Sequence, residues 1–202
     1  TNATKWVQYP DETPTGYDIM MRGPLILASD FQCTNTGPIT DIHLWASWLN
    51  DNRAATNLVF TLGFWSDLPA DLVTNYSRPG TNLWAQRFTN GQYQVRLWRS
   101  NLVERFVNPD TNLPPQSGII GADSQIWQYN FYPTNPFIQQ GSPALPTTYW
   151  LSVNVTGLGG TITTTNIGWK TATNYWNDDS VFARVGNFGT NLLTSWQPLV
   201  DP

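Results

Sequence analysis

The chain has 202 residues, of which 40% are hydrophobic, 14% aromatic and only 12% charged, with a net charge of −4. A chain of this size can bury about 70% of its unfolded surface in a real core. Its acidic balance argues against a phosphate-backbone partner, so no nucleic acid is expected, and no apolar run approaches the ~18 residues of a membrane span.

Taken in chain order, the start Thr1-Asn2-Ala3-Thr4-Lys5-Trp6 lacks a signal peptide's apolar stretch, as expected of a processed chain. In Leu25–Cys33 the single cysteine, Cys33, shares its parity with Leu25, Leu27 and Phe31. That parity predicts a small buried hydrophobe rather than a reactive thiol, and one cysteine excludes an internal disulfide. Between Ile39 and Trp48 a period of two places Ile42, Leu44, Ala46 and Trp48 on one face, opposite Asp41, His43, Trp45 and Ser47. Leu58, Phe60, Leu62 and Phe64 alternate likewise, as do Tyr93, Val95 and Leu97 against Gln92, Gln94 and Arg96. Further strands are predicted over Trp127–Phe131, over Tyr149–Val155 and, more weakly, over Thr161–Trp169, which is rich in β-branched residues.

Turn signals separate these runs, among them Gly37-Pro38, Arg78-Pro79-Gly80, Asn90-Gly91 and Asn108-Pro109-Asp110. Asn90-Gly91 predicts a type I′ turn joining a strand near Leu83–Phe88 to one near Gln92–Trp98, because both residue types tolerate positive φ. No long helix is predicted. Many short strands with 15 Gly and 15 Pro point to an all-β fold, a single jelly-roll-like β-sandwich over residues 1–202.

Catalytic templates find little support. Ser-His-Asp chemistry would have to use His43, the one histidine, with Asp41 beside it, but no nucleophile elbow occurs and an outward polar strand face explains both. A glycosidase needs two carboxylates about 5–9.5 Å apart. The glutamates are Glu12 and Glu104 alone, and several Asp residues sit beside Pro or Asn, where turn formation accounts for them. No enzyme and no cofactor are therefore expected, apart from a structural calcium. Asn108-x-Asp110-x-Asn112 begins like a calcium loop, but Leu113 and Ile119 occupy the positions of the turn glycine and the bidentate acid. The adjacent carboxylates Asp178 and Asp179 are the candidate calcium ligands, with solvated turns as the plainer account.

The 11 tryptophans are the most informative residues. Parity places Trp45, Trp65, Trp98 and Trp150 on the more polar sides of their strands. Bare and adjacent, four such rings would form a patch of roughly 600–1,000 Å², more than the ~300–600 Å² of an ordinary monomer's largest patch. Something should cover them: the chain's own loops, a sugar polymer or a neighbouring copy.

Several segments together resemble a domain family of secreted bacterial proteins with no assigned activity. They are Lys5-Trp6-Val7-Gln8-x-Pro10-Asp11, Ala28-Ser29-Asp30-Phe31-x-Cys33, Gly37-Pro38-Ile39-Thr40-Asp41-Ile42-His43-x-Trp45-x-Ser47-Trp48, Tyr149-Trp150-Leu151, and Gly168-Trp169-Lys170-Thr171 with Trp176-Asn177-Asp178-Asp179. The resemblance implies export, to the medium or the cell surface, and a β-rich domain; it supplies no catalytic residue. Ser29 stands where the family pattern tends to have Asp, and the family tends to continue beyond Trp196-Gln197-Pro198 into a further apolar strand. The end at Pro202 would leave a sheet edge open for a neighbouring chain to complete. The reading is a non-catalytic extracellular sandwich that assembles with copies of itself into a filament, coat or matrix. A carbohydrate-binding module using the tryptophans, with a polysaccharide partner, is the alternative, and an enzyme acting through Asp pairs comes third.

Overall fold

The structure, a computed structural model, describes residues 6–53, 57–110, 112, 118–157, 166–174, 176–185 and 195–200. The strands are β1 (Tyr17–Met20), β2 (Leu25–Cys33), β3 (Gly37–Ile39), β4 (Ile42–Trp48), β5 (Leu58–Leu68), β6 (Arg78–Phe88), β7 (Tyr93–Arg99) and β8 (Glu104–Asn108). There follow β9 (Gly118–Asp123), β10 (Ile126–Phe131), β11 (Phe137–Gln139), β12 (Thr147–Gly157), β13 (Ile167–Lys170), β14 (Val181–Arg184) and β15 (Gln197–Pro198). The only helical piece among the described residues is a 3-10 turn at Leu49–Asp51.

The fold is an all-β sandwich. One sheet has seven strands in the order β7-β10-β4-β13-β1-β8-β9, and the other six in the order β15-β14-β2-β12-β5-β6. A small pair, β11-β3, stands beside them. The seven-stranded sheet is mixed, because β1 runs antiparallel to β13 but parallel to β8. The core between the sheets takes the parity-predicted faces: Ile42, Leu44, Ala46 and Trp48 from β4 meet Leu58, Phe60, Leu62 and Phe64 from β5 in one cluster. Phe60 is the junction, with ring centroids 5.0 Å from Tyr129 and 5.1 Å from both Tyr93 and Phe131. Cys33 is buried and free.

Part of the strand expected over Thr161–Trp169 lies outside the described residues; the described strand there is β13. The Asn90-Gly91 turn differs from expectation. Gly91 has φ +89°, but Asn90 is not among the residues with positive φ, so the geometry is not type I′. The turn closes with Gln92 N–H donating to Thr89 O at 2.9 Å. It joins β6, at the edge of one sheet, to β7, at the edge of the other, so it turns a corner of the sandwich instead of closing a two-stranded hairpin.

Each outer face is partly roofed by the chain itself. Over the six-stranded sheet, Ile26, Ala28, Trp150, Val181, Ala183 and Trp196 form a second small core. Over the seven-stranded sheet runs the segment that precedes β1. It bridges at Pro10 to Ala172, and Asp11 N–H donates to Thr171 O at 2.8 Å.

Candidate functional site

The register of the seven-stranded sheet gathers four charged side chains on one face. Asp18 on β1 is opposite Lys170 on β13 and also opposite Phe106 on β8. Glu104, two residues before Phe106 and therefore on the same face, is opposite Asp123 on β9. On the far side Gly168, two before Lys170, is opposite Ser47 on β4. Gly168 must be glycine for this packing, since a Cβ there would sit 2.9 Å from the Phe106 ring and 3.0 Å from Asp18 Cβ. Gly16 of the N-terminal segment closes the site from above, because its Cβ would lie 2.6 Å from Lys170 Nζ.

The centre is sealed: Asp18 is 0% exposed, Glu104 1%, Asp123 5% and Lys170 6%. Lys170 Nζ lies 2.8 Å from Glu104 Oε1 and 3.5 Å from Asp18 Oδ2. One oxygen from each of the three acids lies within 4.8 Å of the others. Neither contact of Nζ has hydrogen-bond geometry, and both oxygens of Asp18, Glu104 and Asp123, with the Ser47 hydroxyl, are also left without a hydrogen bond. The Ser47 hydroxyl favours the ionised Asp18.

Three buried acids facing one ammonium cannot all carry charge cheaply. Burial pushes Asp18 up to about 6, with Lys170 opposing the rise. Burial likewise pushes Glu104 up to about 7, Lys170 opposing and Asp18 adding to it. Asp123 goes up to about 9, through burial first and then repulsion from Asp18 and Glu104. The ordinary ion pair is thus Lys170 with one of its two neighbours, while Asp123 keeps its proton. The three oxygens could also share a hard cation, but the Lys170 ammonium already fills that role for Glu104 and Asp18.

The residues singled out in the sequence lie elsewhere. Trp150 is wholly buried in the outer small core, its Nε1 donating to Asp67 Oδ1 at 2.8 Å. Trp65, half-buried, donates to Ser152 Oγ at 2.8 Å and packs edge-on to Trp196 at 5.8 Å. On the opposite sheet Trp45 and Trp98, also half-buried, meet edge-to-face at 5.5 Å. The N-terminal segment covers this pair: Tyr9 stands 6.0 Å from Trp45, and Glu12 accepts from Trp98 Nε1 at 2.8 Å. The four rings therefore occupy two sheets and form no common platform, and their cover comes from the chain's own segments.

Asp178 accepts from both the backbone and the hydroxyl of Ser77, and its own N–H donates to Asp30 Oδ2 at 3.3 Å. Asp179 is exposed. The two expected calcium ligands thus point to different surroundings, and neither belongs to the group of acids that converges. His43 and Asp41, 3.7 Å apart, are both exposed, as an outward strand face requires.

Asp18, Asp123 and Lys170 were not legible as a site, and Glu104 was noted only for the rarity of its type. One signal was available. The chain has two lysines, and Lys170 is the end of an otherwise apolar strand, Ile-Gly-Trp-Lys, where it shares the face of Gly168 and is nonetheless buried.

Two surface depressions of about 440 Å³ each, one along Leu97–Leu102 and one between Trp48, Arg53 and Tyr93, are not lined by the four charged residues. No helix among the described residues is long and apolar enough to cross a membrane. No curated protein and no solved structure matches the chain. One family model does, over residues 4–202, and the chain accordingly belongs to the family described as a domain of unknown function, DUF7901.

Proposed function

We propose that this protein is a non-catalytic extracellular β-sandwich subunit that works by contact with copies of itself in a surface filament, coat or matrix. Export rests on the resemblance to secreted bacterial domains. The assembly reading no longer rests on the four strand tryptophans, whose cover is internal. Its support is the loop between β5 and β6, where Leu72 is fully exposed and Val73 is 95% exposed. That loop is built to hold them out. Asp71 accepts from the N–H groups of Val73 and Thr74 at 2.8 and 2.7 Å, and Asp71 N–H donates to Thr74 O at 2.7 Å. Arg78 ties the same carboxylate at 3.3 Å. Two aliphatic side chains on a braced loop gain free energy only when something else covers them. Analytical ultracentrifugation of the Leu72→Asp/Val73→Asp double variant tests this: association seen for the wild type should be lost, and an unchanged sedimentation profile would contradict the reading.

Carbohydrate binding has its own observation. Trp6 and Trp176, 36% and 38% exposed, form an edge-to-face pair at 5.9 Å with Asn177 beside them. Sugar rings stack on aromatic faces while amide side chains meet their hydroxyls, so polysaccharide titration should quench tryptophan fluorescence and Trp176→Ala should remove the effect. Fluorescence indifferent to every polysaccharide tried would dismiss this second reading.

A further inference from the structure

Lys170 is placed where a lysine is costly to bury, sealed under Gly16 of the N-terminal segment with three acids around it. A salt bridge alone answers only part of this arrangement. One ammonium neutralises one carboxylate, and none of the seven polar side-chain atoms of these four residues finds a partner in good hydrogen-bond geometry. A reaction that consumes the ammonium and one carboxyl would remove both costs. Amines and carboxylic acids held together away from water condense to amides, and placement substitutes for high concentration: effective molarities reach about 10⁵–10⁸ M when reacting atoms sit about 3–3.5 Å apart. Lys170 Nζ lies 3.5 Å from Asp18 Oδ2, an oxygen on the carbon to be attacked, and the two residues are directly opposed on neighbouring antiparallel strands.

We propose that Lys170 Nζ and Asp18 Cγ become joined in an intramolecular amide bond, a covalent cross-link between β1 and β13 formed within the folded chain with loss of one water. Glu104 is the proton carrier, since its Oε1 is the nearest base to Nζ at 2.8 Å. The ammonium of Lys170 first passes a proton to the Glu104 carboxylate, leaving a neutral amine. The nitrogen lone pair then attacks Cγ of the protonated Asp18 carboxyl, whose carbonyl oxygen takes the proton that Glu104 holds. A proton from the nitrogen returns through Glu104 to one Asp18 oxygen, the C–O bond breaks, and that oxygen leaves as water. The remaining carbonyl proton goes back to Glu104. In balance, an ammonium, the Glu104 carboxylate and the Asp18 carboxylic acid become an amide, the Glu104 carboxylic acid and water; no oxidant or cofactor enters. Asp123, held in its acid form, can donate to the Asp18 carbonyl oxygen and stabilise the charge that develops there. Burial supports the neutral Asp18 that the attack requires.

Intact-mass spectrometry of the purified wild-type chain tests the bond directly. The expected mass is lower than that of the sequence by one water. A tryptic digest should then yield one branched peptide joining the segment with Asp18 to the segment with Lys170, with no cleavage after Lys170. Only Lys5 could be confused with it, because the chain has no other lysine. The folded Glu104→Gln variant, and independently Lys170→Met, should show the full mass. A wild-type mass equal to that of the unmodified sequence overturns the proposal. So does a lost water without a branched peptide, which is what a succinimide would give, or a branch at Glu104 in place of Asp18. A folded Glu104→Gln chain that still loses water would remove Glu104 from its role. The wild-type measurement decides the bond even if both variants fail to fold.

Discussion

At the scale of single residues, the acid–lysine centre governs how stability responds to pH. A carboxyl whose folded value lies above its ordinary one holds its proton longer in the native state than in the unfolded chain. Its stabilising contribution is complete below the ordinary carboxylate range and is lost as pH climbs towards the folded value. For Asp123, raised to about 9, and Glu104, raised to about 7, stability therefore falls as pH rises from about 4 to about 9. Asp123→Asn keeps the shape and the neutral state, so it should flatten this decline and match or exceed the wild type at the alkaline end. Melting temperatures recorded across that range check it, and a decline as steep as the wild type's would contradict the assignment. Why these residues were hard to read in the sequence is physical. Asp18, Glu104 and Asp123 come from strands that meet only through the β1–β8 parallel pairing and the β8–β9 hairpin, and pairing between distant strands leaves no mark in local spacing.

At the scale of elements, alternation was legible wherever one strand face meets the core. The inward sets of β4 and β5 are the residues that parity named, because a period of two is imposed by the pleat itself. Parity was less informative about β12. Both of its faces are buried from Ser152 to Thr156, so an outward residue such as Trp150 enters a second core and not solvent. The Asn90-Gly91 signal located a turn but not its partners: residue types report tolerance of positive φ, whereas the pairing of β6 and β7 is settled by which sheet each strand joins. Gly91→Ala tests the turn in isolation. No atom lies within 4 Å of the added Cβ, so the cost is backbone strain at φ +89° alone, about 1–2 kcal/mol by chemical denaturation. A neutral result would mean that the turn relaxes freely. The edge of β6 bears on assembly too. It is eleven residues long and has no strand partner on its outer side among the described residues, but it carries Pro79 and arginines at 78 and 87, and its ladder with β5 shifts register twice. These are devices that blunt an edge, which favours the Leu72–Val73 loop over edge pairing as the contact.

At the scale of the whole molecule, composition and turn spacing were enough for an all-β sandwich, since few charges, many aromatics and frequent Gly and Pro leave little else that packs. They could not say how a surplus of tryptophan is accommodated. The answer is two roofs, the N-terminal segment over Trp45 and Trp98 and the Tyr76–Trp196 region over Trp65 and Trp150, with Tyr76 donating to Trp196 O at 2.6 Å. The most exposed apolar side chains are aliphatic, Leu72 and Val73, and the proposed work of the molecule is placed there. Light scattering on a dilution series of the wild-type chain tests that work most directly. The account predicts a weight-average mass that rises with concentration above that of a single chain; one constant mass equal to the monomer across the series would contradict it.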